Sequence, residues 1–380
     1  MDEGFNALTT QPALLIPLYF TWSVTYFLII AGAFGYIAYK PGRKPYKADN
    51  VEFVIVTVAN NKVKNTLMES LTSLRRRFRD KVVWVVVDEG AELIPFLNSL
   101  SFSDPFLRLV VVPKEYLGGR RGKVRAMSYF VKYFVNDDVW YVFLDDDNIV
   151  LNDDFLYEIP YYEEKGYVAF NPILKPRKSR SVLAYVIDWF RYFNDLTIYR
   201  FFTGFLGIPL LGLHGELLGV KGSVLSELDL TFNSITEDFR IAAELVKKGY
   251  KTWQSSTVVS IKSPNSIKDF QMQRARWFKG LIHDLKYAPL AMKVLVMIKS
   301  TLWVVNVVAI AIVLYYWPQN IYFLAPFAVS ALYHWSAYIY GVVKSRKIKY
   351  LMLTPFAWLI EVSSLARVFQ IKDFYVIQKD

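Results

Sequence analysis

Trp140-Tyr141-Val142-Phe143-Leu144-Asp145-Asp146-Asp147-Asn148 is an apolar run that ends in three consecutive carboxylates. Bulky apolar residues in an unbroken row suit a strand buried on both faces, the pattern of a parallel sheet. In an open α/β sheet, ligands bind beyond the carboxyl ends of such strands. Adjacent acids there repel one another unless a cation joins them, and a hard divalent metal with anionic phosphates is the usual cation. The plain alternative is an acidic loop after an edge strand.

Upstream, the β-branched run 51–58 reads as a first strand, ended by Asn60 and Asn61. Residues 65–78 follow with Leu67, Leu71 and Leu74 at helical spacing. Residues 82–87 form a second buried strand ending in Asp88-Glu89-Gly90, and residues 107–112 a third. Strand and helix alternating at this interval predict a mostly parallel α/β sheet. Between the third strand and the fourth lies Gly118-Gly119-Arg120-Arg121-Gly122-Lys123. The spacing of a Walker loop fails, and Val124 stands where Ser or Thr would bind magnesium. Glycines, cations and a helix start near Ala126 still favour an anion, with a solvated basic loop as the alternative. Downstream, Asn152-Asp153-Asp154 reads as a helix start, Asn152 capping it.

Composition narrows the chemistry. The chain has 380 residues, 54% of them hydrophobic, and a net charge of +11. Such apolar content points to membrane segments, and basic residues beside apolar runs suit an anionic leaflet or phosphate-bearing substrates. No nucleic-acid-binding motif is present, so a nucleic-acid partner is not expected. Without cysteine, thiolate chemistry is excluded, and His214, His283 and His334 are too scattered to predict a zinc site. Carboxylates, Arg, Lys and aromatics must carry the function.

Residues 12–39 carry no charge and are long enough to span a bilayer. Met1-Asp2-Glu3 before them is acidic, while Lys40, Arg43, Lys44 and Lys47 follow, which places the next domain on the cytoplasmic side. Residues 294–317 and 321–343 are two further spanning candidates joined by the uncharged Pro318-Gln319-Asn320. Residues 351–371 are apolar but interrupted by Pro355, Glu361 and Arg367, compatible with spanning, re-entering or lying flat. The aromatic stretch 182–213 holds four charges, Asp188, Arg191, Asp195 and Arg200. It suits a buried core helix or an amphipathic helix at the membrane surface, and the spaced charges favour the surface.

Thr236-Glu237-Asp238 opens a helix closed by Lys247-Lys248-Gly249, so its acids have a sufficient explanation at the positive helix end. An Asp there is also suited to act as a general base. Ser266 and Asp269 form a capping box for a helix to Leu285, on which Gln273, Arg276 and Trp277 share one face. An amide, a forked cation and an indole together suit a diphosphate and a sugar ring, whereas nearby Arg274, Lys279 and Lys286 suit a basic interfacial helix.

Taken in order, Asp88, Asp145-Asp146-Asp147, Thr236-Glu237-Asp238 and Gln273-Arg274-Ala275-Arg276-Trp277 resemble the motifs of family 2 glycosyltransferases of GT-A fold. The resemblance is to the membrane-embedded branch that includes cellulose and hyaluronan synthases, and most of all to the Egghead-type β-mannosyltransferases. It covers roughly residues 51–280 and implies a division into an anchor (1–40), a GT-A domain (48–262), a Gln-x-x-Arg-Trp and interfacial segment (263–292) and a carboxyl-terminal membrane region (293–380). It implies that Thr57 and Asp88 hold the nucleoside and that Lys123 lies near the nucleotide. Asp145 would face the nucleotide-sugar, and Asp147 with Asp145 would bind Mg2+ or Mn2+. Asp238 would deprotonate the acceptor, beside Glu237, with Gln273, Arg276 and Trp277 on the diphosphate and acceptor. The function so implied is inverting transfer from GDP-mannose or a UDP-sugar to a lipid-linked or glycan acceptor, in contact with membrane lipids at the cytoplasmic face. Asn60-Asn61 departs from the acidic residue usual after the first strand. The alternatives are a processive polysaccharide synthase and a non-catalytic membrane scaffold.

Overall fold

β1 (Val51–Val56) and β4 (Trp140–Leu144) run side by side and parallel, with Ile55 opposite Leu144. Every residue of β4, and all of β1 but Glu52, is buried, which is why both read as continuous apolar runs. The computed structural model describes residues 12–119, 123–315 and 324–371. The acidic amino-terminal flank, Arg120, Arg121, Gly122 and the Pro318-Gln319-Asn320 loop lie outside the described residues.

α1 (Pro12–Ala38) precedes β1. α2 (Lys64–Arg77) leads to β2 (Val83–Asp88), and α3 (Ile94–Ser103) to β3 (Leu107–Val112), each strand parallel to the one before. α4 (Lys123–Phe134) brings the chain back to β4 on the other side of β1. The second half comprises β5 (Ile149–Val150), α5 (Asp154–Glu163), β6 (Tyr167–Arg177), α6 (Val182–Leu196), β7 (Leu218–Lys221), α7 (Gly222–Glu227), α8 (Glu237–Lys247) and β8 (Lys251–Lys262). Among the described residues the sheet runs β3-β2-β1-β4-β7-β6-β8-β5. β7 is antiparallel to β4 and β6, β5 is antiparallel to β8, and the remaining pairings are parallel. Strand order therefore reverses between β1 and β4, opening a crevice at their carboxyl ends.

Both faces of the sheet are covered. Leu67, Leu71 and Leu74 of α2 pack with Phe53, Ile55 and Phe155 on one face. Met127 and Phe130 of α4 and Ile241 and Leu245 of α8 pack with Val54, Tyr141 and Phe143 on the other. Burying each such side chain contributes about 1.5–3 kcal/mol. The basic segment after α1 is clamped to α5 by Lys44–Glu164 and Lys47–Asp153 pairs at 2.6 and 2.8 Å. Asp153 occupies the cap position of α5 without a side-chain cap bond, while the Asn152 side-chain Oδ1 accepts from the Val258 N–H at 2.7 Å. The expected Asn152 cap is replaced because β8 claims its side chain.

α9 (Ile267–Leu285), α10 (Leu290–Tyr315), α11 (Leu324–Lys344) and α12 (Thr354–Ser363) complete the described chain. Ile16–Ala38 and Ile348–Gln370 are long and apolar enough to cross a membrane. The pair Leu290–Leu302 and Val305–Tyr315, bent by 42°, adds a third if it forms one span. α11, expected as a span, is not among these, because it is rich in Tyr, His, Trp and Ser, with His334 and Tyr338 buried. The expectation of a surface helix over 182–213 is also corrected at its first half. α6 is buried between β6, α11 and α12, with Ile187 and Trp189 at 0% and 1% exposure. Its charges had suggested water, but each finds a buried partner.

Candidate active site

The crevice at the β1–β4 switch point opens into a cavity of about 780 Å³. Thr57, Asp88, Lys123, Asp145, Asp147, Glu237, Asp238, Gln273, Arg276 and Trp277 all line it. Ten positions spread over more than two hundred residues thus converge on one space.

The sheet-side wall is built from strand ends. The Asn148 side-chain Oδ1 accepts from the Asp145 N–H at 2.9 Å, closing the acidic turn after β4. α2 and β6 hold that turn through Ser70 and Arg177, which donate to the Asn148 and Asp147 carbonyls at 2.8 and 3.0 Å. Asp147 is 1% exposed. Thr57, just past β1, donates its hydroxyl to Asp146 at 2.5 Å, joining the two strand ends. Asp88 pairs with the buried Arg125 of α4. Partial burial nonetheless raises the Asp88 pKa, against the pull of Arg125.

Lys123 ties the acidic turn to α8. Its ammonium lies 2.6 Å from Asp145 and 3.4 Å from Glu237. Burial works against its charge, but Asp145 and Glu237 outweigh that and keep the lysine protonated above its ordinary range. Asp238 accepts from the Gly215 N–H at 3.1 Å. Burial first, then Glu237 and Glu216, push its carboxyl up to about 7, with Lys123 acting in the opposite sense. A Cβ on Gly215 would stand 3.2 Å from the Lys123 ammonium and 3.7 Å from an Asp238 oxygen, so backbone approaches the acids here without a side chain between.

α8 begins as expected at Glu237, but Thr236 does not cap it with its side chain. The Thr236 hydroxyl donates to the buried Asp284 of α9 at 2.8 Å. A Cβ on Gly280 would lie 2.7 Å from the Thr236 side chain, so glycine lets α9 close against the start of α8. Ser266 caps α9 as expected, accepting from the Asp269 N–H at 3.0 Å. Burial lowers the Arg276 pKa while four surrounding carboxylates favour its charge. Trp277 does not offer a bare apolar platform: the guanidiniums of Arg191 and Arg274 lie 4.9 and 4.4 Å from its ring centre.

The opposite, helical wall was largely missed in the sequence. Arg191 pairs with Glu216 at 2.6 Å, and Arg274 pairs with Asp188 at 2.7 Å and Glu361 at 3.4 Å. His214 meets Asp195 at 2.7 Å. Partners so distant along the chain leave no local pattern, although glycines flanking Leu213-His214 and Glu216 mark the backbone approach to the cavity.

Among the described residues, no three His, Asp or Glu side chains converge as a preformed metal cage. The donor set of Asp145 and Asp147 is hard oxygen, which fits Mg2+ or Mn2+. Such ions are commonly held by one or two carboxylates plus substrate phosphates, so a protein cage is not required for the fit.

Comparison with known proteins follows this geometry. The model of Glycosyl transferase family group 2 matches residues 140–362, from the start of β4 into α12. The match takes in Asp145, Asp147, Asp238 and the Gln273–Trp277 face. The chain is 27% identical over 330 residues to beta-1,4-mannosyltransferase bre-3 of Caenorhabditis elegans, covering 78% of this chain and 70% of that protein. It is 27% identical over 307 residues to beta-1,4-mannosyltransferase egh of Drosophila melanogaster, covering 74% and 63% respectively. Among solved structures, mannosyltransferase PcManGT from Pyrobaculum calidifontis, in complex with GDP-Man and Mn2+, matches with a TM-score of 0.59 at 14% identity. That likeness covers 95% of this chain and 99% of the other, and the shared architecture is a GT-A-like fold. The chain belongs to glycosyl transferase family group 2.

Proposed function

We propose that this glycosyltransferase is a membrane-bound, inverting β-mannosyltransferase. It takes mannose from GDP-mannose and gives it to a lipid-linked or glycan acceptor at the cytoplasmic membrane face. The relatives named as beta-1,4-mannosyltransferases support the sugar and the linkage, and the GDP-Man bound to PcManGT supports the donor. The division at 1–40, 48–262, 263–292 and 293–380 belongs to this reading. So does acceptor entry from the membrane, since Lys299 of α10 and Leu365 line the cavity.

One observation carries the reading: Lys123 bridges the acidic strand end to the helix that bears Asp238. Donor diphosphate and acceptor base then share one electrostatic unit. Thr57 and Asp88 hold the nucleoside, and Asp145 faces the sugar-diphosphate. Asp238 takes the proton of the acceptor hydroxyl, as a base poised near neutral pH should. The hydroxyl oxygen bonds to the anomeric carbon while the bond to the diphosphate oxygen breaks, and the electron pair leaves with GDP. With a single base and no covalent intermediate, an α-linked donor gives a β-linked product. Arg276 and Lys123 offset the charge developing on the diphosphate, and Gln273 and Trp277 orient the acceptor. A divalent cation held by Asp145 and Asp147 would add charge neutralisation at the same diphosphate.

Incubating the purified chain with labelled GDP-mannose and a membrane lipid extract tests this. A single β-mannosidase-sensitive sugar on an extractable lipid is expected, dependent on Mn2+ or Mg2+. A ladder of polymers, or transfer only from UDP-sugars, would defeat the reading.

A further inference from the structure

Arg200 opens the π-helical turn Arg200–Phe205, which follows α6. It does not line the cavity, and the proposed chemistry leaves it unused. Among the described residues its guanidinium has no carboxylate within ion-pair distance and no hydrogen bond. Arg191 and Arg274 nearby are each paired. Burial works against the charge of Arg200, and the phenols of Tyr39, Tyr36, Tyr192 and Tyr340 favour it. The Tyr192 and Tyr340 rings stack, with centres 6.2 Å apart.

The position of this cluster is set by three helices. A Cβ on Gly35 would stand 2.6 Å from the Phe201 nitrogen, so the last turn of α1 lies directly against the π turn. Tyr36 is in that last turn, and Lys40, Arg43 and Lys44 follow it. Tyr340 is one turn from the end of α11, followed by Lys344, Arg346 and Lys347. α1 therefore marks the level where apolar span gives way to basic sequence, and the Tyr192–Tyr340 contact brings the basic end of α11 to it. At this level Tyr36, Phe205, Leu206 and Ile208 are 51%, 50%, 43% and 39% exposed, an apolar collar open to its surroundings.

A guanidinium offers five N–H donors in a planar fork, and burying part of it without an anion is unfavourable. Phosphate oxygens match that fork bidentately, and the inner leaflet presents phosphates at this depth. We infer that Arg200, with the hydroxyls of Tyr36 and Tyr340, binds the phosphate of an anionic phospholipid headgroup at the cytoplasmic membrane surface. The lipid chains lie along Phe205, Leu206 and Ile208. The inference rests on the membrane orientation and is independent of donor, metal and reaction.

The test uses the full chain in neutral detergent, with dioctanoyl phosphatidylglycerol, dioctanoyl phosphatidylcholine and inorganic phosphate as probes. Thermal stabilisation and native mass spectrometry report binding, and circular dichroism checks the fold of each variant. Phosphatidylglycerol should bind saturably and raise the melting temperature, and Arg200→Gln should bind it about tenfold more weakly, as loss of a charged hydrogen bond implies. Arg200→Lys and Tyr340→Phe should fall between, and Lys347→Gln should match the wild type. Unchanged affinity in Arg200→Gln would overturn the inference. Equal stabilisation by phosphatidylcholine would also overturn it, as would equal stabilisation by inorganic phosphate, which would mark a free-anion site. If Arg200→Gln does not fold, unchanged affinity in both Arg200→Lys and Tyr340→Phe overturns it, and reduced affinity in both supports it.

Discussion

The two walls of the cavity handle charge in opposite ways. On the sheet side, Asp88, Asp145, Asp146, Asp147, Glu237 and Asp238 crowd around Lys123 and Arg125, so acid exceeds base at the strand ends. On the helical side, each of these groups has a partner on another element of the protein: Arg191 with Glu216, Arg274 with Asp188 and Glu361, Asp195 with His214. Excess charge calls for a ligand, whereas matched buried charge holds helices in register. The two walls should therefore fail differently when altered.

The largest effect is expected at the excess-charge wall. Asp238→Asn should lower kcat by about 10²–10⁴-fold, as loss of a general base does, with GDP affinity unchanged. Steady-state kinetics beside GDP titration measures both. An equal loss in kcat and GDP affinity would place Asp238 in donor binding instead.

At the matched wall the damage should fall on stability. Arg274→Met leaves Asp188 and Glu361 buried without their cation, which costs about 3–5 kcal/mol. A large drop in melting temperature is expected, together with loss of activity. Wild-type stability would mean that the pair is not closed in solution.

A smaller effect links the walls through Glu216, which pairs with Arg191 and raises the Asp238 pKa. If Asp238 is the base proposed above, transfer requires its ionised form, and kcat/KM should rise with pH up to about 7 and then level. Removing a like charge favours the carboxylate, so Glu216→Gln should move that limb to lower pH by about one unit or less. A limb that stays fixed would show that Glu216 does not reach the base. The least change is expected for Gly215→Ala, whose Cβ would press on the flexible Lys123 tip at 3.2 Å. It should cost about 1 kcal/mol in melting experiments.

Legibility in the sequence follows the same division. The sheet-side wall is local: an apolar strand ending in acids announces both the strand and the acidic turn after it, and Asp88, Asp145 and Asp147 stand at strand ends that line the cavity. The starts of α8 and α9 were equally legible through Thr236-Glu237-Asp238 and Ser266-Asp269. The helical wall is not local. The partner of Asp188, Arg274, lies 86 positions away, and the second partner of Arg274, Glu361, lies farther still, so α6 read as a charged surface helix. Only its continuation, the π turn with exposed Phe205 and Leu206, has the character expected of the whole stretch. Thr236 teaches the same point at small scale: its residue type signalled a cap, but a buried Asp284 competes for the hydroxyl.

Calorimetric titration of the detergent-purified chain with GDP, with and without Mn2+, tests most directly whether the strand-end acids form the donor site. Wild type and Asp238→Asn should bind GDP tightly only with metal, and Asp147→Asn should lose that metal dependence. GDP binding that neither Mn2+ nor Asp147→Asn alters, or no binding of any nucleoside diphosphate with metal present, would contradict it.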